Sequence, residues 1–283
     1  MTEGRGATAL RAGAMTLGFG FLYAPIVLLI VYSFNASRLV TVWAGFSIRW
    51  YGELARNESF RAAAVTSFEV AVLAATLSLV LGTCAGLSMA RISRFPGRQL
   101  FGFALVAPLV VPEVILGLSL LLLFVAGESL IGWPRSRGVM TITIAHATFG
   151  ACFVSVLVRA QLAGFDRTLE EAALDLGARP RTVLARITLP GISPALVAGW
   201  LLAFTLSLDD LVIASFVTGP SATTLPMAVF SSVRLGVSPE VNALATLFLA
   251  VVFVLVSIAF WLMARQERRR RPLPIPPAAS GGG

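Results

Sequence analysis

Residues 169–190 read LEEAALDLGARPRTVLARITLP, and this segment carries the most specific pattern in the chain. The pattern predicts a short helix at 169–176 with glutamates in its first turn, where the helix dipole stabilises negative charge. Gly177 supplies a turn, and Pro180 opens a second, amphipathic helix that runs to Pro190. The segment is therefore predicted to form two helices joined by a tight turn, between longer stretches of apolar chain.

The chain as a whole has the composition of a membrane protein. Of its 283 residues, 57% are hydrophobic and 13% are charged, and the mean hydropathy is +0.86. Soluble domains carry about 25% charged residues, so an ordinary soluble enzyme is excluded. All 22 basic residues are arginine, and the absence of lysine excludes P-loop ATPases and Schiff-base enzymes, whose chemistry needs that side chain.

Six apolar stretches are long enough to cross a bilayer, which takes about 20 helical residues. They predict an all-α membrane protein with a transmembrane domain at 12–264, preceded by a short segment at 1–11. The tail at 265–283 is basic and then rich in Pro, Gly, Ser and Ala, a composition that predicts disorder. The predicted spans are 12–37, 62–90, 99–127, 138–158, 192–218 and 241–264, and the loop at 159–190 joins the fourth to the fifth.

The arginines are distributed unevenly around these spans. If the N-terminus is cytoplasmic, 15 of the 22 arginines lie on the cytoplasmic side and seven on the other. The positive-inside rule therefore predicts that both termini and the loop at 159–190 are cytoplasmic. The net charge of +8 follows from this topology and does not predict a nucleic-acid partner.

The cytoplasmic loop resembles the EAA signature of the permease subunits of ABC importers. The resemblance implies the MetI-like permease fold and a coupling helix that docks in a groove on a separate ATPase subunit. It places Glu171 at the position of the signature glutamate, next to Glu170 in the same predicted helix. From the residues alone, a surface hairpin that covers the ends of the spans stays an alternative. The matching positions are Glu171, Ala172, Ala173, Gly177, Ile187, Leu189 and Pro190.

Longer segments resemble, more narrowly, the permeases of spermidine/putrescine importers, the PotC/PotI type. Examples are APLVVPEVILGLSLLLLF at 107–124 and AFTLSLDDLVIASFVTGPSATTLPM at 203–227. The resemblance implies polyamine import across a bacterial plasma membrane. It also implies that the partners are a second similar permease, two ATPase copies and an extracytoplasmic polyamine-binding protein. No cofactor is expected on this chain, because ATP and Mg²⁺ would bind to the ATPase subunit. A permease for an amino acid, sulfate or iron is the alternative that keeps the same loop.

Carboxylates inside predicted spans are costly in a bilayer and mark candidate functional positions. Glu113 follows Pro108 and Pro112, which predict a kinked or broken helix, and broken helices often mark transporter sites. Asp209 and Asp210 are adjacent, and on a continuous helix their side chains diverge by about 100°. One of the two is therefore expected to face the pathway and the other a neighbouring helix. Such carboxylates suit a cationic solute and repel anions.

A polycation also favours aromatic faces and neutral hydrogen-bond partners. Trp50 and Ser207 are the candidates for these two roles, and in the similar permeases the positions matching all five residues are associated with uptake. Some relatives carry aspartate at the position of Glu113, so the preferred polyamine length stays open. The substrate-pathway candidates are Trp50, Glu113, Ser207, Asp209 and Asp210.

Several candidates also have structural explanations. Glu113 could pair with an arginine of the partner permease, and Asp210 could fasten helices together. Trp50 could be an anchor at the membrane interface. His146, the sole histidine, is predicted to be a hydrogen-bonded packing residue rather than a ligand.

Other protein classes fit the sequence less well. A secondary transporter would also carry intramembrane acids, but six spans with an ATPase-docking signature favour the ABC class. An intramembrane protease needs catalytic aspartates on two helices, or a serine or zinc motif, and the sequence has none of these patterns. Cys84 and Cys152 lie in apolar runs without further ligands, so neither a metal site nor a catalytic residue is predicted.

Overall fold

The computed structural model describes residues 5–39, 42–220, 222–235, 239–250, 253–254 and 257. Regular structure in these ranges is helical, with one isolated β-bridge between Asn35 and Phe46. The all-α fold class is therefore confirmed. The helices are α1 (Arg5–Ser33), α2 (Arg49–Arg56), α3 (Glu58–Arg91), α4 (Arg98–Val110), α5 (Glu113–Ile131), α6 (Val139–Ala163), α7 (Thr168–Asp175), α8 (Pro180–Val183), a π-helix (Leu184–Thr188), α9 (Leu189–Gly191), α10 (Ser193–Asp209), α11 (Val212–Val217), α12 (Leu225–Leu235) and α13 (Pro239–Ala250).

The chain divides into two compact units, one of Met1–Arg56 with Leu235–Gly283 and one of Asn57–Arg234. In the first unit the loop after α1 folds around the buried side chain of Asn35. That side chain donates to the carbonyl oxygen of Val42 at 2.7 Å and accepts from the N–H of Ala44 at 2.9 Å. These bonds satisfy polar groups of the loop that would otherwise be costly to bury.

The second unit is built around the close packing of α3 against α6. A Cβ atom added to Gly82 would lie 2.5 Å from the Cβ of Val154, and one added to Gly86 would lie 2.9 Å from the Cβ of Val158. Only glycine permits this approach, as is common where helices pack in membranes. Ser78 adds a hydrogen bond of 3.2 Å from its hydroxyl to the carbonyl oxygen of Ala147.

Helix α10 packs on the same pair, and α11 packs against α5 and α6. Two fully buried groups of apolar side chains form the core of this unit. One contains Ile142, Ile213 and Val217, and the other contains Val154, Val158 and Ile192. Helix α10 packs into the second group through Leu196, Ala203 and Phe204.

The described residues include four helices long and apolar enough to cross a membrane: Gly13–Ser33, Glu58–Arg91, Glu113–Ile131 and Val139–Ala163. A bent pair, Pro180–Gly191 followed by Ser193–Asp209 with an angle of 69°, would make five. Of the predicted sixth span at 241–264, the structure describes 241–250 within α13, and also 253–254 and 257. The predicted disordered tail at 265–283 lies outside the described residues. Six spans with both termini in the cytoplasm stay a prediction.

Two of the predicted spans are interrupted. The predicted span at 99–127 is divided into α4 and α5, because Val111 is extended before Pro112 and a residue before proline disfavours the helical conformation. The predicted span at 192–218 stops at Asp209, and the backbone of Asp210 is extended with φ −66° and ψ 128°. The first interruption agrees with the prediction made from the prolines, whereas the second corrects the expectation of one continuous helix.

Candidate functional site

The two helix breaks line one cavity of about 240 Å³. Glu113 reaches it from the first turn of α5, and His146 and Phe149 reach it from α6. The end of α10 and the break after it complete the wall. The polar side chains that line the cavity are Glu113, His146, Ser207, Asp209 and Asp210. Four of the five predicted substrate-pathway residues are thus brought together, and all four come from the same unit.

Asp210 is bound into the protein by three hydrogen bonds. Its Oδ2 accepts from the N–H of Ala214 at 2.8 Å and lies 3.0 Å from Nε2 of His146, while its Oδ1 accepts from the N–H of Ile213 at 3.3 Å. The side chain is 8% exposed. Asp210 therefore satisfies two of the N–H groups that the start of α11 leaves free, and this explains why the chain leaves the helix there.

Asp209 and Glu113 have a different environment from Asp210. Both residues are exposed, and among the described residues neither carboxylate forms a hydrogen bond or an ion pair with another side chain. Glu113 stands in the first turn of α5, where the helix dipole favours its negative charge. Because α10 ends between Asp209 and Asp210, both aspartates line the same cavity. Asp210 also contacts His146 of the neighbouring helix α6, and the expectation that one aspartate faces the pathway and the other a neighbouring helix stays a prediction.

His146 is buried and uses both of its ring nitrogens. Nδ1 lies 2.7 Å from Oγ of Ser207, and Nε2 lies 3.0 Å from Oδ2 of Asp210. The prediction of a hydrogen-bonded packing residue is confirmed, but the same side chain also lines the cavity. Phe149 lies one helical turn later on α6 and adds an aromatic ring to the wall.

Sequence reasoning missed His146 and Phe149 as cavity residues. Their spacing of three on one helix was a signal that they share a face. That this face meets Asp210 depends on packing between segments more than 60 residues apart, which one sequence does not reveal.

Trp50 belongs to the other unit and is 2% exposed. Its Nε1 donates to the carbonyl oxygen of Asn35 at 2.6 Å, and the guanidinium of Arg49 lies 4.4 Å from the centre of its ring. One face of the indole thus contacts a cation and its only donor is used, while a place for Trp50 in the substrate pathway stays a prediction. This geometry gives Trp50 a structural role in the loop after α1.

The segment at 159–190 forms a second candidate site. Helix α7 spans Thr168–Asp175, one residue earlier at each end than predicted, and Gly177 makes the turn with φ +84°, a conformation that favours glycine. Hydrogen bonds from Thr168 lower the pKa of the Asp166 carboxyl just before this helix. The predicted second helix is present as α8, the π-helix and α9 in succession, and it continues one residue past Pro190.

Glu170 holds this segment against the rest of the unit. Its Oε1 accepts from Nη2 of Arg91 at 2.8 Å and from the hydroxyl of Thr188 at 2.7 Å. Arg91 ends α3, and Thr188 ends the π-helix that leads toward α10. Glu171 directly follows Glu170 in the sequence, but it is exposed and its side chain forms no bond to any described residue. Ala172, which follows it, is exposed as well, while Ala173 and Ile187 are partly buried and Leu189 lies beside the core.

These features define a class of protein: a helical membrane permease with a cavity at broken helices and a short amphipathic segment that leads into the opposite end of α10. A sequence profile described as "Binding-protein-dependent transport system inner membrane component" matches residues 82–272. The chain belongs to this family, whose members are inner-membrane transport components rather than enzymes. Membership implies an ATPase and a substrate-binding protein as partners.

Relatives with high identity cover most of the chain. It is 58% identical over 256 residues to the Putrescine transport system permease protein PotI of Escherichia coli strain K12, covering 90% of this chain and 91% of that protein. It is 44% identical over 260 residues to the Spermidine/putrescine transport system permease protein PotC of the same strain, covering 92% and 96%. The predicted family is therefore confirmed.

Solved structures of ABC importers share the fold. A bacterial ABC transporter involved in the import of the acidic polysaccharide alginate matches with a TM-score of 0.70 at 17% identity, covering 93% of this chain and 98% of that chain. The MetNI methionine ABC transporter in an inward-facing conformation matches with a TM-score of 0.59 at 16% identity, covering 78% and 99%. At this identity the likeness establishes the fold alone.

Proposed function

We propose that this chain forms half of the translocation pathway of an ATP-driven importer of polyamines. The observation that carries the proposal is a pair of exposed carboxylates on one cavity, Glu113 and Asp209, which have no side-chain partner within the part of the chain that the structure describes. An uncompensated carboxylate is costly within a membrane, and a cationic solute would compensate it during passage. An anionic solute would meet repulsion from the same groups. The names of the 58% and 44% identical relatives support the same class of solute.

The two aspartates would have different roles in this pathway. Asp209 and Glu113 would bind the ammonium groups directly, since their carboxylates have no other side-chain partner among the described residues. Asp210 would shape the wall, because His146 and the N–H groups of Ile213 and Ala214 already occupy it. Phe149 would add an aromatic surface of the kind that attracts cations.

The segment at 159–190 would couple this cavity to ATP hydrolysis on the partner. The exposed residues of α7, with Glu171 and Ala172 among them, would contact a dimer of ATPase subunits that binds ATP and Mg²⁺. Glu170 would transmit the displacement of α7, since it is bonded both to α3 and to Thr188. The full assembly would include a second, similar permease and an extracytoplasmic polyamine-binding protein. The topology would have six spans and cytoplasmic termini.

Uptake by the reconstituted four-component complex tests the proposal. Vesicles would be supplied with labelled putrescine, spermidine, an amino acid or sulfate, with and without ATP. We expect ATP-dependent accumulation of the polyamines alone. Accumulation of sulfate or of the amino acid instead would contradict the proposed substrate class.

Asp209→Asn tests the role of the cavity in the same vesicles. The variant keeps the size of the side chain and removes its charge, so the KM for polyamine should rise about tenfold or more. ATP hydrolysis without substrate should stay close to that of the unchanged complex. Glu128→Gln is the matched control, because Glu128 is also an exposed acid but lies outside the cavity lining. Equal effects of the two variants would contradict a role for Asp209 in binding.

A further inference from the structure

His146 connects two walls of the cavity through one side chain. It projects from α6, is 5% exposed, and contacts Ser207 near the end of α10 and Asp210 in the break that follows. Among the described residues of the lining, the other charged groups on this cavity are Glu113 and Asp209, both acidic. The imidazole is therefore placed to fix the orientation of polar groups in an otherwise acidic site.

For a neutral imidazole, the chemistry of the three side chains defines the direction of each hydrogen bond. Asp210 as a carboxylate can only accept, so Nε2 of His146 carries the proton and donates to it. Nδ1 of the neutral ring then has no proton and accepts from the hydroxyl of Ser207. The hydroxyl hydrogen of Ser207 is thus committed to His146, and its oxygen can only accept from anything that enters the cavity.

We infer that His146 is a positioning residue that makes the cavity selective for hydrogen-bond donors such as ammonium groups. It holds Asp210 in the wall, and as a neutral ring it turns Ser207 from a group that can donate or accept into one that only accepts. This inference rests on the proposed function, since it specifies how that same cavity recognises a cation. His146 thus contributes to recognition of the solute indirectly, through Ser207 and Asp210.

The inference predicts how KM and maximal rate separate. In vesicles with the four-component complex, His146→Ala should raise the KM for labelled polyamine about tenfold, because Ser207 and Asp210 lose their fixed orientation. The maximal rate should fall by a smaller factor than the KM rises. Thr143→Val is the matched control: Thr143 is a buried polar residue one turn earlier on α6, and its hydroxyl has no partner among the described residues.

Two conservative variants separate the two halves of the chain of bonds. The amide of His146→Asn lies near the position of Nδ1 and can accept from Ser207, while the amide of His146→Gln reaches the position of Nε2 and can donate to Asp210. Each variant should recover part of the affinity lost in His146→Ala. In addition, Ser207→Ala combined with His146→Ala should raise the KM less than the product of the two single effects, because the residues act together.

The outcomes distinguish this inference from the proposed function. Polyamine uptake with an unchanged KM in His146→Ala would overturn the inference and leave the proposed function in place. The inference would also be overturned if neither amide variant lowered the raised KM and if the double variant with Ser207→Ala showed the full product of the two single effects. A merely structural role for His146 predicts that result. Accumulation of an anionic solute instead of polyamines would overturn both.

Discussion

The chain contains two pairs of adjacent acids, Glu170 with Glu171 and Asp209 with Asp210, and the members of each pair have opposite environments. Glu170 is bonded to Arg91 and Thr188, and its side chain is 15% exposed. Asp210 is bonded to His146 and to the start of α11, and its side chain is 8% exposed. Glu171 and Asp209 are exposed and unpaired among the described residues.

In each pair, one acid is held in place by bonds within the protein, while its neighbour is available to bind something else. Adjacent residues on a helix diverge by about 100°, and a helix end separates them further, so one acid can turn inward while its neighbour turns outward. The inward acid must be paired, because a buried charge without partners is strongly destabilising. The outward acid is free to meet a partner protein or a solute. The comparison therefore predicts loss of stability from one member of each pair and loss of function from the other.

Asp210→Ala should have the largest effect on stability. It leaves Nε2 of His146 and the N–H groups of Ile213 and Ala214 without their acceptor, which should cost about 2–3 kcal/mol. Asp209→Ala removes no such bond and should change stability by less than about 0.5 kcal/mol. The thermal unfolding midpoints of the purified complexes would measure the difference. Similar shifts for both variants would remove the basis of the comparison.

Arg91→Ala should have a smaller effect on the other pair. Glu170 loses its ion-pair partner but keeps the hydrogen bond from Thr188, so a cost of about 1–2 kcal/mol is expected. Helix α7 should then be held less firmly, and trypsin should cleave the segment at 159–190 faster than in the unchanged protein. The control is Arg94→Ala, three residues further along the chain at an exposed arginine. Cleavage rates that do not differ between the two variants would argue against this anchor.

The extent to which the sequence predicted these features follows from the range of the interactions involved. The break before Glu113 and the turn at Gly177 were predictable, since proline and glycine act on their own backbone and nearest neighbours. The break at Asp210 was not, because it depends on bonds to α11 and to a histidine 64 residues earlier. The buried position of Trp50 depends in the same way on Asn35, a contact that no local pattern announces.

Glu171→Ala should have the smallest effect on stability and a large effect on transport. Its side chain has no bond to lose among the described residues, so the unfolding midpoint should stay within the range of a surface substitution, about 0.5 kcal/mol. If Glu171 contacts the ATPase subunit, ATP hydrolysis should continue while uptake per ATP falls severalfold.

Asp175→Ala is the matched control, because Asp175 is an exposed acid on the same helix outside the matching signature positions. Normal uptake per ATP in Glu171→Ala would contradict the coupling role. An equal fall in both variants would mean that exposure on α7, rather than the identity of this acid, decides the contact. Glu170→Gln completes the test, because it keeps an oxygen for Thr188 while removing the ion pair, and so should lower stability more than Glu171→Ala does. The opposite ranking would show that the inward acid is not the fixed member of its pair.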